Sequence, residues 1–272
     1  MNILADEVAD KTAERDVTEE EPKILAKTSE NADLIKTAVI FGQSEDELRR
    51  EFKEFKFLKL LRKVYCDLTL SPDEAFDDEL SRAAVTGFGG VVVFPTRIRR
   101  AKTLIGGADV KVIAAVCYPF GEECGGVKKT AIKKVSAYGA DGVLLPIGLA
   151  AIKGDNLDFI RRDVKKCLKV NKSLKITALA ECGECTSEEV ERVVKVLSAC
   201  GVKSFCTGSG YLSACDAAKT RCVRAGAAAD AEIIATDKIG NGGDVINLLR
   251  FADKVITVNC EKVADDIRSR IG

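Results

Sequence analysis

The sequence predicts an α/β protein folded as a (β/α)8 TIM barrel with an N-terminal helical extension. From residue 63 onward, short apolar runs alternate with amphipathic helical stretches, which is the pattern of repeated βα units. There are eight such runs, and a length of 272 residues suits one barrel with an appendage. We therefore divide the chain into a charged arm and closing helix at residues 1–62 and a barrel at residues 63–272.

Eight segments are predicted strands because each is short, apolar and bounded by turn residues or helix starts. They comprise residues 63–70, 89–94, 111–118, 141–147, 174–180, 202–207, 231–236 and 254–259. The helices between them begin near residues suited to capping, such as Ser71, Thr186 and Asp244. In a barrel of this kind the active site lies at the C-terminal ends of the strands, which we call the mouth.

The first 62 residues differ in character from the barrel. Residues 1–43 are acidic and lack steady periodicity, so we expect a mobile arm or short helices outside the barrel. A Ser-x-x-Glu capping box at residues 44–47 begins a helix. Its apolar residues can share one face: Leu48, Phe52, Phe55, Leu58 and Leu61. We interpret it as a helix that closes the bottom of the barrel, with a basic partner-binding helix as the alternative.

The overall charge gives no indication of a nucleic-acid or anionic-membrane partner. Lys+Arg and Asp+Glu number 42 each, so the charges of the whole chain balance. No apolar run approaches the ~20 residues of a membrane-spanning helix, and the acidic N-terminus lacks the apolar region of a signal peptide. We therefore expect a cytoplasmic protein. Histidine is absent, which removes the commonest metal ligand and general base, and no cofactor is expected.

Cysteine is abundant, with 11 residues. Without a secretion signal, this number favours reduced thiols packed as small apolar side chains over a disulfide framework. Cys182 and Cys185 form a Cys-x-x-Cys pair after the fifth predicted strand, a spacing that suits a thiolate metal or redox site. A closed zinc site needs about four ligands, so we favour ordinary buried thiols and keep the metal or redox site as a minor alternative.

Short motifs occur in order on the predicted strands. Residues 67–70 read Asp-Leu-Thr-Leu on the first strand, 118–121 read Tyr-Pro-Phe-Gly after the third, and 181–184 read Glu-Cys-Gly-Glu after the fifth. Residues 202–211, Val-Lys-Ser-Phe-Cys-Thr-Gly-Ser-Gly-Tyr, form the sixth strand and its turn. In this order they resemble the deoxyribose-phosphate aldolase family. The resemblance implies a (β/α)8 barrel and, in the family, cleavage of a deoxysugar phosphate through a lysine Schiff base.

The resemblance also implies where the catalytic residues of the family would lie. The Schiff-base lysine of the sixth strand aligns with Cys206, and the aspartate of the fourth strand aligns with Leu144. The second lysine, on the seventh strand, aligns with Ile234 or Ala235. Since the aldol reaction requires a desolvated lysine amine, we predict that ordinary Schiff-base aldolase activity is lost.

Two alternatives keep an active site at the mouth. In the first, Lys238 just past the seventh strand serves as a relocated amine, with Asp67 or Glu181 as the proton carrier of a working lyase. In the second, Cys206 is a catalytic thiol, although no histidine is present to ionise it. Lys203 is excluded as the amine because its odd offset from Cys206 turns it to the outer face of the strand.

Glycine-rich turns after strands six and seven are typical of loops that hold phosphate. The candidate ligand-binding residues are Thr207, Ser209, Gly210, Gly242, Gly243 and Asn259. Asp237 and Asp244 beside these turns would repel phosphate unless Lys238 offsets them. We expect a barrel that binds a small phosphorylated or carbonyl ligand, or acts through a partner, and the resemblance implies a homodimer.

Overall fold

The computed structural model describes residues 45–212, 214–236 and 239–271. The predicted acidic arm, Asp237 and Lys238 lie outside the described residues. Residues 57–272 form one compact unit. The boundary expected after residue 62 stays a prediction.

The eight strands form a closed parallel barrel in which each strand pairs with the next and β8 pairs with β1. Their bounds are β1 Val64–Asp67, β2 Gly90–Val93, β3 Lys111–Ala115, β4 Gly142–Pro146, β5 Lys175–Leu179, β6 Ser204–Cys206, β7 Glu232–Thr236 and β8 Lys254–Thr257. The predicted fold class and all eight strands are confirmed. The strands are shorter than predicted because several apolar residues at their ends lie in the loops of the mouth.

Ten α-helices accompany the strands in the described residues. Their bounds are α1 Glu45–Leu61, α2 Phe76–Thr86, α3 Ile98–Ile105, α4 Gly125–Ala137, α5 Leu149–Lys153, α6 Leu157–Leu168, α7 Ser187–Ala199, α8 Ala217–Gly226, α9 Gly242–Leu248 and α10 Cys260–Ile271. No helix in this part of the chain is both long enough and apolar enough to cross a membrane. In α1, Phe57 and Leu61 are buried and lie one turn apart, at an i, i+4 spacing. Leu58 is 39% exposed.

The core has two layers because side chains alternate between the faces of each strand. The outer layer packs the barrel against its helices. The inner layer fills the barrel with eight buried side chains: Tyr65, Val92, Ala115, Leu144, Leu179, Cys206, Ile234 and Ile256. The interior is therefore a packed core, and chemistry is confined to its two ends.

One pair of cysteines is oxidised, contrary to the expectation of reduced thiols. Cys66 on β1 and Cys260 at the start of α10 form a disulfide across 194 residues of sequence, with a Cα–Cα distance of 5.8 Å. The two residues meet because barrel closure brings β8 beside β1. The other nine cysteines are free thiols.

Candidate functional site

The positions that align with the catalytic residues of the family lie inside the barrel. Leu144, Cys206 and Ile234 all belong to the inner layer and are 1%, 1% and 5% exposed. Ala235, the alternative on the seventh strand, belongs to the outer layer. The inward position on β7 is therefore Ile234, and these three inward side chains carry no amine and no carboxylate.

Cys206 is held as a neutral thiol. Its Sγ lies 3.3 Å from the carbonyl oxygen of Gly208 and 3.2 Å from Oγ1 of Thr236. Burial raises the pKa of Cys206 to about 12, despite these hydrogen bonds. A thiol with this pKa is protonated at neutral pH and is a poor nucleophile. Sequence reasoning did not single out Thr236, although alternation from Ile234 turns it inward.

Asp67 ends β1 with its carboxyl group beneath the first loop of the mouth. Thr69 donates to Asp67 Oδ1 from its backbone N–H at 2.9 Å and from its hydroxyl at 2.5 Å. Burial raises the pKa of Asp67 above its ordinary value, and the two hydrogen bonds from Thr69 oppose that rise. Both residues are buried. The group is thus a candidate proton carrier, as the sequence predicts.

Glu181 follows β5 and is 2% exposed. Its Oε1 accepts the backbone N–H of Ser209 at 3.0 Å. Its Oε2 is buried and has no hydrogen-bond partner among the described residues. Burial raises the pKa of Glu181 above its ordinary value, while hydrogen bonding with the side chain and the backbone N–H of Ser209 opposes that rise. An unpaired buried carboxyl oxygen is costly, so this atom is the strongest indication of a functional group at the mouth.

Two tyrosines bridge the mouth between strands. Tyr118, after β3, donates its hydroxyl to the carbonyl oxygen of Ser209 at 2.5 Å. The Tyr211 hydroxyl lies 2.7 Å from Thr69 Oγ1, and the two rings meet edge to face with centroids 5.4 Å apart. Burial, followed by nearby Asp67, raises the pKa of Tyr118 well above its ordinary value. Tyr211 was missed from the sequence because it lies in an irregular turn without periodicity.

Three of the six candidate ligand-binding residues make contacts between elements of the barrel. The Thr207 hydroxyl accepts the N–H of Thr236 at 2.9 Å, so it joins β6 to β7. A Cβ at Gly242 would lie 2.6 Å from Ile267, so this glycine is required for packing against α10. The Asn259 amide donates to the carbonyl oxygen of Ile239 at 2.7 Å. These groups serve the connections between elements.

The Cys-x-x-Cys pair is buried in the outer core. Cys182 contacts the thiol of Cys215, and this hydrogen bond together with burial raises the pKa of Cys182. Burial raises the pKa of Cys185 to about 11. Within the described ranges, no group of three or more cysteine, aspartate or glutamate side chains is arranged to hold a metal ion.

The opposite, N-terminal end of the barrel interior carries a paired charge network. Glu232 on β7 accepts from Lys254 at 2.8 Å through Oε1 and from Lys175 through Oε2. Ser204 donates to the same Oε2 at 3.1 Å, and Lys254 reaches the Tyr65 hydroxyl at 3.1 Å. A cavity of about 380 Å³ opens beside Lys175 and Ser204. The lysines at this end are engaged with the carboxylate, far from the mouth.

Sequence relatives of this chain are deoxyribose-phosphate aldolases. The enzyme from Streptococcus pneumoniae is 29% identical over 151 residues, which is 54% of this chain and 69% of that protein. Deoxyribose-phosphate aldolase 1 from Cutibacterium acnes is 29% identical over 133 residues, 48% of this chain and 61% of that protein. No family model matches the sequence.

Solved structures agree on the fold. A candidate deoxyribose-phosphate aldolase from Coccidioides immitis superposes with a TM-score of 0.74 at 16% identity, covering 78% of this chain and 87% of that one. The tetrameric deoxyribose phosphate aldolase from Aeropyrum pernix gives a TM-score of 0.72 at 18% identity, covering 79% and 93%. In sequence and in fold, the chain is therefore similar to the deoxyribose-phosphate aldolases.

Proposed function

We propose that this barrel has lost Schiff-base aldol chemistry and that its mouth binds a small ligand. The observation that carries the proposal is the inward trio of Leu144, Cys206 and Ile234 at the positions aligned with the catalytic residues of the family. A Schiff base requires an amine that can attack a carbonyl, and a buried protonated thiol cannot form one. Leu144 likewise supplies no group that moves a proton.

The polar groups of the mouth support binding in place of catalysis by an amine. Asp67 and Glu181 are buried carboxyl groups, each fixed by a neighbouring hydrogen bond. In the described part of the chain, no lysine forms a hydrogen bond or ion pair with either group. Pockets that combine an apolar floor with a few fixed polar groups are typical of small-molecule sites.

The alternative of a working lyase depends on Lys238, which would have to reach inward from the loop after β7. A thiolate metal or redox protein is the third alternative. It has less support, because Cys182 and Cys185 lie among outer-core residues as protonated thiols. A homodimer stays part of the proposal, and the tetrameric assembly of the Aeropyrum pernix protein supports oligomerisation.

Borohydride trapping tests the proposal directly. The full chain is incubated with acetaldehyde and with deoxyribose 5-phosphate, reduced with borohydride and weighed intact. The expected result is an unchanged mass, while an active aldolase treated in parallel gains the adduct. Lys238→Ala and, as a matched control, Lys219→Ala are treated in the same way, because Lys219 donates to the Gly183 carbonyl oxygen in the loop after β5.

A borohydride-trapped adduct on the wild-type chain would overturn the proposal. If the adduct is lost in Lys238→Ala and kept in Lys219→Ala, the chain is a lyase with a relocated amine. Elemental analysis of the same preparation tests the third alternative, since bound zinc or iron that disappears in Cys182→Ser would establish a metal site.

A further inference from the structure

Carboxylates accept backbone amides in the described part of the glycine-rich stretch that leads into α9. Asp244 Oδ2 accepts the N–H of Gly240 at 2.8 Å and that of Asn241 at 3.1 Å. Asp266 on α10 accepts the N–H of Gly243 at 3.1 Å. Arg270 donates to the same Asp266 carboxylate at 2.7 Å, so this arginine is engaged as well. The donors that a phosphate would need here already hold anions of the chain.

Two amides of the turn after β6 are also taken by side-chain oxygens of the chain. The N–H of Ser209 is taken by Glu181 Oε1 at 3.0 Å, and the N–H of Tyr211 by Ser209 Oγ at 3.1 Å. After β8, the N–H of Asn259 is taken by Thr257 Oγ1 at 3.0 Å. A phosphate at any of these amides would have to displace an internal acceptor. At Ser209 it would also lie beside a displaced carboxylate, where like charges repel.

Among the described residues of the mouth, one buried carboxyl oxygen is left without a hydrogen-bond donor. Glu181 Oε2 is buried without a partner among the described residues and approaches Gly208, where a Cβ would lie 3.3 Å from it. The inner layer beneath it is apolar and ends in the neutral thiol of Cys206. A ligand that fits here supplies a hydroxyl to the carboxyl oxygen and rests uncharged carbon atoms on the apolar layer that closes the interior.

We infer that the mouth recognises a neutral polyhydroxy compound, such as a free sugar, in place of a sugar phosphate. Its hydroxyl donates to Glu181 Oε2, and the amides of Gly240, Asn241, Gly243 and Ser209 remain bound to Asp244, Asp266 and Glu181. The inference rests on the proposed function, because it assigns the ligand class of the same mouth. It concerns binding alone and requires no covalent step.

The test compares two probes that differ only in the phosphate. Binding of 2-deoxyribose and of 2-deoxyribose 5-phosphate to the full chain is measured by titration calorimetry, with inorganic phosphate as a third ligand. We expect the free sugar to bind about tenfold tighter than its phosphate, and inorganic phosphate to give no heat. Equal or tighter binding of the phosphate would overturn the inference, and so would failure of the free sugar to bind.

Variants locate the effect. Glu181→Gln keeps an oxygen for the Ser209 amide and should weaken the free sugar by about tenfold. Asp244→Ala frees two amides and removes a negative charge, and it should improve the phosphate by about tenfold. Glu188→Gln, at an exposed position on α7, is the matched control and should change neither. An unchanged sugar affinity in Glu181→Gln would contradict the assignment.

The two proposals fail in distinguishable ways. A borohydride adduct would overturn the loss of Schiff-base chemistry whatever the preference between the two probes. A preference for the phosphate, without any adduct, would overturn only the ligand class.

Discussion

The two ends of the barrel interior each carry one glutamate, and the chain treats them in opposite ways. Burial acts to raise the pKa of Glu232 at the N-terminal end, but the hydrogen bonds and charges of Lys175 and Lys254 outweigh it and hold the pKa below its ordinary value. At the mouth, burial raises the pKa of Glu181, and its Oε2 has no partner within the described ranges. The pKa values of two glutamates in one barrel are thus shifted in opposite directions.

The difference separates stability from function. A carboxylate that is paired with two lysines contributes to the fold, and its charge needs no further partner from a ligand. A buried carboxyl group without a cation costs stability, and such groups concentrate where a ligand or a proton must be handled. We therefore interpret the N-terminal end as structural and the mouth as the proposed site, although the positions that the resemblance aligns with catalytic residues are apolar or thiol.

The largest expected effect tests how the mouth end is held together. Cys66–Cys260 joins β1 to α10 across 194 residues, so the chain-entropy model assigns it about 5 kcal/mol of the free energy of unfolding. Urea unfolding of the protein with and without reductant should show a loss of this order. Cys66→Ala should be destabilised without reductant present, and Cys124→Ala, an exposed free thiol, should match the wild type. If reduction leaves the free energy of unfolding unchanged, packing of the barrel alone holds β1 and α10 together.

The second effect breaks the network at the N-terminal end. Glu232→Gln leaves Lys175 and Lys254 facing each other without a carboxylate, and we expect a loss of about 2 kcal/mol, between the values for exposed and for buried pairs. The measurement is the urea midpoint at neutral pH. Glu191→Gln removes the partner of Lys195 in an exposed i, i+4 pair and should cost about 0.3–0.5 kcal/mol. If Glu232→Gln and Glu191→Gln lose the same free energy of unfolding, the ion pairs of the barrel interior are no stronger than an exposed pair.

The sequence predicts what depends on local periodicity. Alternation of side chains along short apolar runs is enough to find the eight strands and to turn Cys206 inward. The same alternation applied to β7 selects Ile234 over Ala235 once the strand bounds are known. The motifs point to Asp67 and Glu181, and the structure finds both carboxyl groups buried at strand ends.

What the sequence does not predict depends on contacts between distant elements. The pairing of Cys66 with Cys260 requires barrel closure, so a search for local cysteine spacing finds only Cys182 and Cys185. Asp266 lies on α10, and its bond to the Gly243 amide cannot be inferred from the glycine-rich turn itself. A glycine pattern shows that amides are exposed to some acceptor, but only the structure shows which acceptor is present.

The smallest expected effect sharpens the contrast through pH. The folded-state pKa of Glu181 lies above its ordinary value, so its contribution to stability is complete below about pH 4 and is lost as pH rises through the folded pKa. Glu181→Gln removes this titration and should flatten the fall in the free energy of unfolding as pH rises above the ordinary glutamate pKa. Part of the slope remains, because burial also raises the pKa of Asp67. The pKa of Glu188 in the wild type is shifted downward, so this carboxyl group titrates at lower pH than Glu181. The variant Glu188→Gln should therefore leave the slope of the free energy of unfolding above that pH unchanged. An unaltered slope in Glu181→Gln would mean that the carboxyl group is not desolvated, and the contrast with Glu232 would then rest on the lysines alone.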